Sequence, residues 1–306
     1  MLSTHTLVEE AWRAGLTLPN ISVPYLPMIQ PIVQAAIDQE AYIMISVARV
    51  EWLRFGAQSP AAVLAEFVKC QPPANVRLHL DHVPVIDEDH QQVDYLPILR
   101  EGIALGYGSV MVDGSRLPLG ENIACTRAAV ELATYAGIPC EAELGAVLGH
   151  ESGPLPPYDE LFATGKGFTN VEDAARFVRE TGCSWLSVAI GNVHGAVAGA
   201  ARDQKKVEAR LDLDHLARVR AATGIPLVLH GGSGIRLEHL RAAIKGGIAK
   251  INIGTDTRQA YERTFAETNS VAAAQEAVYE RATWVIRDYL GCAGTFGTIV
   301  AKEEQL

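Results

Sequence analysis

The chain has 306 residues, of which 48% are hydrophobic, and its formal net charge is −10. This composition supports a large buried core and excludes global disorder, while the acidic balance argues against a nucleic-acid partner, whose binding surface is basic. Five widely spaced cysteines without a CxxC pair indicate reduced thiols rather than disulfides. Because we find neither a signal-peptide core nor an apolar run near the roughly 20 residues of a membrane span, we expect a cytoplasmic protein with no membrane partner.

Strand-like and helix-like segments alternate along the sequence. Short apolar runs rich in β-branched residues predict strands at 16–23, 42–48, 76–82, 108–113, 139–145, 185–191, 226–231 and 249–254. Near-continuous apolar character is typical of parallel strands that are covered on both faces. Amphipathic stretches between the strands predict helices at 61–70, 90–105, 119–136, 171–182, 212–223 and 235–246. Three of these helices begin after good capping residues, Ser59, Asn170 and Asp212.

Eight strands, each followed by helical sequence, predict an α/β fold of the closed (β/α)₈ TIM-barrel type, with residues 1–306 as one domain. The alternative is a doubly wound open sheet, but the GxGxxG expected after its first strand is absent. The loop 147–169 is long and rich in Gly and Pro, so we expect it to cover the C-terminal face as a lid. An additional amphipathic helix at 270–290 packs either on its own barrel or against a second subunit.

Polar residues end seven of the predicted strands. In a barrel these positions share one face, where active sites form. A single polar residue at a strand end is usually a helix cap, but polar residues at seven strand ends together predict a ring of polar and ionisable groups around one mouth of the barrel. The ring consists of Asn20, Asp81, His82, Asp113, Glu141, Glu143, His194, His230, Asn252 and Asp256.

Three histidines in this ring, His82, His194 and His230, end or directly follow strands. A lone histidine there would be read as a hydrogen-bonded core residue. Three neutral imidazoles with one open position instead describe a catalytic zinc site. Nitrogen ligands disfavour magnesium and calcium, which prefer oxygen. The sequence therefore predicts Zn²⁺ as the cofactor.

Glycine-rich turns follow the last two predicted strands, as HGGSG at 230–234 and NIGTD at 252–256. Glycines let backbone N–H groups approach an anion, and the helix N-termini that follow add a positive dipole. One such turn is a weak signal, but barrels commonly bind phosphate in these two neighbouring loops. We therefore expect a phosphorylated small molecule as the ligand.

Together these segments resemble the class II fructose/tagatose-bisphosphate aldolase family. The resemblance covers about residues 75–265, and TLPNIS places Asn20 on the asparagine of the family's opening strand. It rests on five segments, LHLDHV at 78–83, SVMVDGS at 109–115, EAELG at 141–145, VAIGNVHG at 188–195 and VLHGGSG with KINIGTDT within 228–257. It implies a zinc-dependent lyase that reversibly cleaves a ketose bisphosphate, such as fructose- or tagatose-1,6-bisphosphate, to dihydroxyacetone phosphate and an aldehyde.

The resemblance also implies roles for individual residues. Zinc would be held by His82, His194 and His230, with Asp113 and Glu143 as a second metal position or as supporting groups. Asp81 and Glu151 would transfer protons, Glu151 from a mobile loop. Substrate and phosphate would be bound by Asn20, Gly195, Gly231, Ser233, Asn252, Thr255 and Arg258. The family further implies a monovalent cation, Na⁺ or K⁺, on backbone carbonyls and a homodimer or homotetramer.

The chain departs from the family pattern at three positions. The family usually has a lysine at position 198, a serine near position 48 and, in fructose-specific members, an aspartate at position 254, where this chain has Ala198, Ala48 and Gly254. These differences leave the sugar and its number of phosphates open. The alternatives are a zinc-dependent barrel hydrolase, a non-catalytic sugar-phosphate-binding member, and a Schiff-base aldolase using Lys250.

Overall fold

The computed structural model describes residues 2–147, 157–194 and 208–303, and it forms a closed barrel of eight parallel strands in chain order. The strands are β1 Leu18–Ser22, β2 Ile43–Ala48, β3 Val76–Pro84, β4 Ser109–Asp113, β5 Cys140–Leu144, β6 Trp185–Val188, β7 Leu227–Leu229 and β8 Ile248–Ile253. Each overlaps one predicted strand. The predicted (β/α)₈ barrel is therefore confirmed.

Helices separate the strands. They are α1 Thr4–Arg13, α2 Ile29–Asp38, α3 Arg49–Arg54, α4 Pro60–Lys69, α5 Tyr95–Ala104, α6 Leu119–Tyr135, α7 Tyr158–Thr164, α8 Val171–Thr181, α9 Leu213–Thr223, α10 Leu237–Lys245, α11 Thr255–Thr268, α12 Val271–Trp284 and α13 Thr295–Glu303. Short 3₁₀ and π segments occur at Leu26–Met28 and Val285–Tyr289. All three predicted caps are confirmed, since the side chains of Ser59, Asn170 and Asp212 accept N–H bonds from the first turns of α4, α8 and α9.

The helix predicted at 90–105 begins later, at Tyr95. The preceding residues belong to a tight turn, because the carboxylate of Asp87 accepts hydrogen bonds from the backbone N–H groups of Asp89 and Gln91 at 3.0 and 2.9 Å. An aspartate that caps its own backbone in this way competes with helix formation. The prediction of helix over residues 90–94 was therefore wrong.

The segment predicted as a helix at 270–290 forms α12 and the π segment. Val278, Val285 and Tyr289 are buried within the chain, whereas Val271 is 43% exposed. Helix α12 packs against α2 and α11. The apolar stripe thus covers the chain's own helices along most of its length.

Two apolar cores surround the strands. The larger lies between the outward strand faces and the helices. The smaller fills the N-terminal end of the barrel with Leu18, Met44, Trp185 and Val228, and α1 covers it with Leu7. The opposite end holds the inward-facing polar residues of β3, β5 and β8. No helix in the described ranges is both long and apolar enough to cross a bilayer.

Candidate metal centre and active site

A pocket lies at the carboxyl ends of the strands, where the loops after β7, β8, β1, β2 and β3 meet. Eight of the residues predicted from sequence line it, namely Asp81, His82, His194, Gly231, Ser233, Asn252, Thr255 and Arg258. Glu51, Phe55 and Glu88 line it as well and were not predicted. Glu151 and Gly195 lie outside the described residues.

The three predicted metal ligands converge. One nitrogen from each of His82, His194 and His230 lies within 4.8 Å of the other two, and His230 Nδ1 is 2.5 Å from His82 Nε2. The remaining ring nitrogens of two of them face carboxylates, with His82 Nδ1 3.3 Å from Asp113 Oδ2 and His230 Nε2 2.8 Å from Glu141 Oε1. Carboxylates of this kind fix the tautomer of metal-binding histidines and orient the ring.

His82 reaches this position through an irregularity in β3. The register between β3 and β4 shifts between Leu80 and Val83, and His82 has a φ of 35°, which a residue with a side chain rarely adopts. A bulge re-aims side chains at the rim of a barrel. It lets both Asp81 and His82, adjacent in sequence, line the same pocket.

The donor set fits a zinc ion. Two imidazole nitrogens 2.5 Å apart can share one proton at most, so the arrangement is complete only with a proton or a cation between the rings. Burial would lower the pKa of His82, but its hydrogen bond to Asp113 and the charge of Asp81 raise it to about 10. A bound metal ion would displace that proton. These histidines are therefore suited to a divalent cation that accepts nitrogen ligands.

A second group of potential ligands adjoins the first. His82, Asp113 and Glu143 also bring one ligand atom each within 4.8 Å of the others, as the sequence led us to expect. Burial and the nearby Asp113 raise the pKa of Glu143 well above its ordinary value. Its Oε2 is 3.8 Å from His230 Nδ1. The two groups thus share His82 and could hold one ion in alternative positions.

Asp81 is the acidic residue best placed to exchange a proton with a ligand. It is 2% exposed, and its Oδ2 accepts a hydrogen bond from Asn252 Nδ2 at 2.9 Å. Burial would raise its pKa, but the charge of Lys250 and the hydrogen bond from His79 hold it well below the usual range. Asp81 is therefore a carboxylate at neutral pH and can act as a base.

A buried polar network supports Asp81 and His230 from below. Lys250 Nζ lies 2.8 Å from both Glu141 Oε2 and Asn252 Oδ1 and 3.9 Å from Asp81 Oδ1. All of these side chains are at most 7% exposed. Through Glu141 the lysine fixes the ring of His230, and through Asn252 it fixes Asp81. Sequence reasoning did not anticipate this arrangement.

The two-residue period of the strands is the sequence signal that could have predicted this buried network. His79 and Asp81 are two residues apart on β3, as are Lys250 and Asn252 on β8, so each pair faces the barrel interior. His79 is fully buried, and its Nδ1 is 2.8 Å from Ser109 Oγ. Inward-facing charged residues on neighbouring strands must pair with one another when they are buried.

Asn20 also belongs to this network. Its side chain is fully buried and donates a hydrogen bond to Asn252 Oδ1 at 2.9 Å. In the barrel Asn20 is the register partner of Asn252. The structure therefore places Asn20 behind a pocket residue, where it orients the amide of Asn252.

The two glycine-rich loops lie side by side. The N–H of Gly232 donates to the carbonyl oxygen of Asn252 at 2.9 Å, and the N–H of Asp256 donates to Ser233 Oγ at 3.3 Å. Tyr289 supports the first loop, with its hydroxyl 2.8 Å from the carbonyl oxygen of Gly232. Because α11 begins at Thr255, its positive N-terminus faces the pocket, as an anion site requires.

Replacing Gly231 with alanine is expected to disrupt this centre. Gly231 has a φ of +63°, and an added Cβ would lie 2.1 Å from the carbonyl oxygen of Val193, next to the predicted ligand His194. We expect a loss of roughly 1–3 kcal/mol in unfolding free energy, with a weaker affinity for the phosphorylated ligand. Urea unfolding and ligand titration would measure both.

A matched control is Gly224→Ala. Gly224 has nearly the same φ, +65°, but an added Cβ there meets no atom within 4 Å. Any excess effect of Gly231→Ala over Gly224→Ala therefore reports the close approach to Val193 rather than backbone strain. Equal effects of the two substitutions on stability and ligand affinity would contradict the prediction.

Comparisons with known proteins identify the family. The family model described as "Fructose-bisphosphate aldolase class-II" matches residues 2–295. The chain belongs to the class II fructose-bisphosphate aldolase family. Two relatives named fructose-bisphosphate aldolase, from Streptococcus pyogenes serotype M3 and Streptococcus pneumoniae serotype 4, are each 34% identical. The match covers 92% of this chain and 87% and 88% of theirs, respectively.

Solved structures agree with this family. The YdjI aldolase from Escherichia coli K12 superposes with a TM-score of 0.76 at 29% identity, covering 96% of this chain and 99% of that one. A putative fructose-1,6-bisphosphate aldolase from Coccidioides immitis gives a TM-score of 0.74 at 26% identity, with 96% and 98% covered. The chain is thus an aldolase, a carbon–carbon lyase, and the resemblance found in its sequence is confirmed.

One pocket residue of this aldolase carries no sequence signal for a site. Glu51 lies in α3, and its Oε2 accepts the backbone N–H of Ala48 at 2.8 Å, which caps the start of that helix. The side chain is only 8% exposed and lines the pocket. Burial raises the pKa of Glu51 to about 8.

Proposed function

We propose that this aldolase is zinc-dependent and that it reversibly cleaves a phosphorylated ketose to dihydroxyacetone phosphate and an aldehyde. The observation that carries the proposal is the convergence of His82, His194 and His230 beside the carboxylate of Asp81 in one pocket. The neighbouring glycine loops supply the anion site that a phosphate needs. Sugar phosphates are the substrate class that the family implies.

Zinc held by His82, His194 and His230 would stabilise the negative charge that develops on the ketone oxygen when the carbon–carbon bond breaks. The remaining ring nitrogens of two ligands already face Asp113 and Glu141, which orients the rings so that their other nitrogens are directed toward the ion. The second group, which adds Asp113 and Glu143, offers an alternative metal position.

Asp81 would remove the proton from the hydroxyl group whose carbon becomes the aldehyde. Its depressed pKa keeps it ionised, and its hydrogen bond with Asn252 fixes the carboxylate. In the reverse direction the protonated Asp81 would return that proton. Glu151 is proposed as the second proton carrier, acting at the carbon of the ketone fragment.

The phosphate of the ketone fragment would lie against Gly231, Ser233 and Thr255, with Asn252 beside it, and Gly195 is proposed to complete this site. Backbone N–H groups and the N-terminus of α11 can bind a dianion without a side-chain cation. Arg258 is proposed to contact the substrate, and Asn20 is proposed to support it by orienting Asn252. We also propose a monovalent cation, Na⁺ or K⁺, on nearby carbonyl groups and a homodimeric or homotetrameric assembly.

The test is metal analysis combined with a retro-aldol assay. We expect about one zinc ion per chain by mass spectrometry, in keeping with a single three-histidine site. Dihydroxyacetone phosphate should be released from a ketose phosphate, activity should be lost on chelation, and added zinc should restore it. Full activity in the metal-free protein would refute the zinc mechanism, and zinc without turnover on any ketose phosphate would refute the substrate class.

A further inference from the structure

The pocket has two chemically different ends. At the β7 and β8 end it is lined by backbone and neutral groups, including Gly231, Ser233 and Thr255. At the β2 and β3 end it is lined by acidic and apolar side chains, including Glu51 and Glu88. A substrate whose phosphate occupies the glycine loops extends its aldehyde half toward this second end, which we call the acidic end.

Glu51 is held rigidly in the acidic end. The side chain is 8% exposed, and Oε2 is engaged by the N–H of Ala48. Within the described ranges, no residue donates a hydrogen bond to its second oxygen, Oε1, and the side chain lines the pocket. This oxygen is therefore available in the pocket to accept a hydrogen bond from a ligand.

Glu88 is brought to the pocket by a structured turn. Asp87 accepts the N–H groups of Asp89 and Gln91 and lies 3.1 Å from Arg49. An isolated bridge between Ile86 and Gln92 closes the turn. Glu88 therefore lies on a turn that hydrogen bonds stabilise, and its half-buried side chain lines the pocket.

Arg258, the arginine that lines the pocket, already forms an ion pair with a carboxylate. Arg258 forms an ion pair with Glu262 at 2.5 Å, and its guanidinium lies 5.5 Å from the centre of the Phe55 ring. The carboxyl groups of Glu51, Glu88 and Glu262 outnumber the guanidinium group of Arg258 there, and Arg49 is already paired with Asp87. Even with Glu51 protonated, these side chains carry no net positive charge, so a phosphate dianion would meet repulsion.

We propose that the acidic end binds an aldehyde fragment with free hydroxyl groups and no phosphate, with Glu51 and Glu88 as the residues that determine this specificity. Hydroxyl groups donate hydrogen bonds that carboxyl oxygens accept. The substrate class is then a ketose with a single phosphate, at its ketone end. The inference rests on the proposed function and narrows it, because a ketose bisphosphate would be a poor substrate.

The experiment measures aldol addition of dihydroxyacetone phosphate to paired aldehydes, glyceraldehyde and glyceraldehyde 3-phosphate. We expect the wild-type enzyme to prefer glyceraldehyde in kcat/KM by about tenfold or more, as one unfavourable charge contact predicts. Glu88→Lys should shift the preference toward the phosphorylated aldehyde by a similar factor. Glu51→Gln should lower kcat/KM for glyceraldehyde more than for propionaldehyde, which has no hydroxyl group to bind.

The matched control is Asp89→Lys, which makes the same charge change on the same turn. Asp89 is exposed and pairs with Arg54 at the surface, outside the pocket lining. It should leave the aldehyde preference unchanged. A wild-type preference for glyceraldehyde 3-phosphate, or equal responses to Glu88→Lys and Asp89→Lys, would overturn the inference.

A separate measurement distinguishes failure of the specificity inference from failure of the proposed function. Deuterium exchange into dihydroxyacetone phosphate, followed by nuclear magnetic resonance, reports the ketone half alone and needs no aldehyde. Exchange by the wild-type enzyme together with a preference for the phosphorylated aldehyde would overturn the specificity inference only. Absence of exchange would overturn the proposed function and the inference with it.

Discussion

Replacing His230 with alanine is expected to abolish zinc binding and to lower kcat/KM by about a thousandfold or more, because the proposed ion would stabilise the transition state by several kcal/mol. His230 Nδ1 is the nitrogen nearest to His82, and its Nε2 is fixed by Glu141. Its loss removes one ligand of three and leaves two. Zinc content after dialysis and retro-aldol rates would measure the effect.

The control for this substitution is His90→Asn. His90 is an exposed histidine with a φ of 59°, a conformation that asparagine tolerates well. Its replacement removes an imidazole without touching the pocket and should leave zinc content and rates unchanged. Retention of stoichiometric zinc by His230→Ala, with circular dichroism confirming the fold, would contradict the assignment of His230 as a ligand.

The barrel could be predicted because its signals are local. Runs such as LTLPNISV and AKINIG are short and rich in apolar residues, and the intervening stretches have helical period, so neither signal needs knowledge of distant residues. Boundaries were less predictable. The start of α5 depends on how the Asp87 carboxylate organises a turn, which competes with the helix over residues that periodicity alone assigns to it.

The convergence of the three histidines could be predicted because a barrel brings all strand ends to one face. His82, His194 and His230 are far apart in sequence, yet their places after β3, β6 and β7 were enough to bring them together. Their geometry was not predictable. The bulge that lets both Asp81 and His82 line the pocket leaves no mark in the LHLDHV segment.

Residues that act from outside the strands were missed. Glu51 caps the backbone at the start of α3, and only the folding of α3 over the pocket gives it a second role. Its position depends on how the loop after β2 packs, which no periodicity encodes. Local sequence therefore identifies the reactive residues at strand ends better than it identifies the residues that shape the substrate pocket.

Lys250→Met is expected to destabilise the protein by about 3–5 kcal/mol at neutral pH and to remove most of its activity, because it leaves buried carboxylates without their counter-ion. Lys250 is fully buried between Glu141 and Asn252. Without it the pKa of Asp81 rises, so Asp81 becomes a poor base. Urea unfolding and retro-aldol rates would measure the two effects, and Lys245→Met, at an exposed position of α10, is the control.

The pH dependence of the unfolding free energy distinguishes an electrostatic role of Lys250 from a role in packing alone. In the wild type Lys250 helps to depress the pKa values of Asp81 and Glu141, so it stabilises the folded state above the ordinary carboxyl pKa. In Lys250→Met those carboxyl groups can take up protons as the pH falls, which removes the unpaired charge. The stability deficit should therefore shrink between pH 7.5 and pH 5, about the range in which such raised carboxyl groups titrate. A deficit that is constant with pH would show that Lys250 contributes packing alone, and trapping of a covalent adduct by borohydride would assign it to Schiff-base chemistry instead.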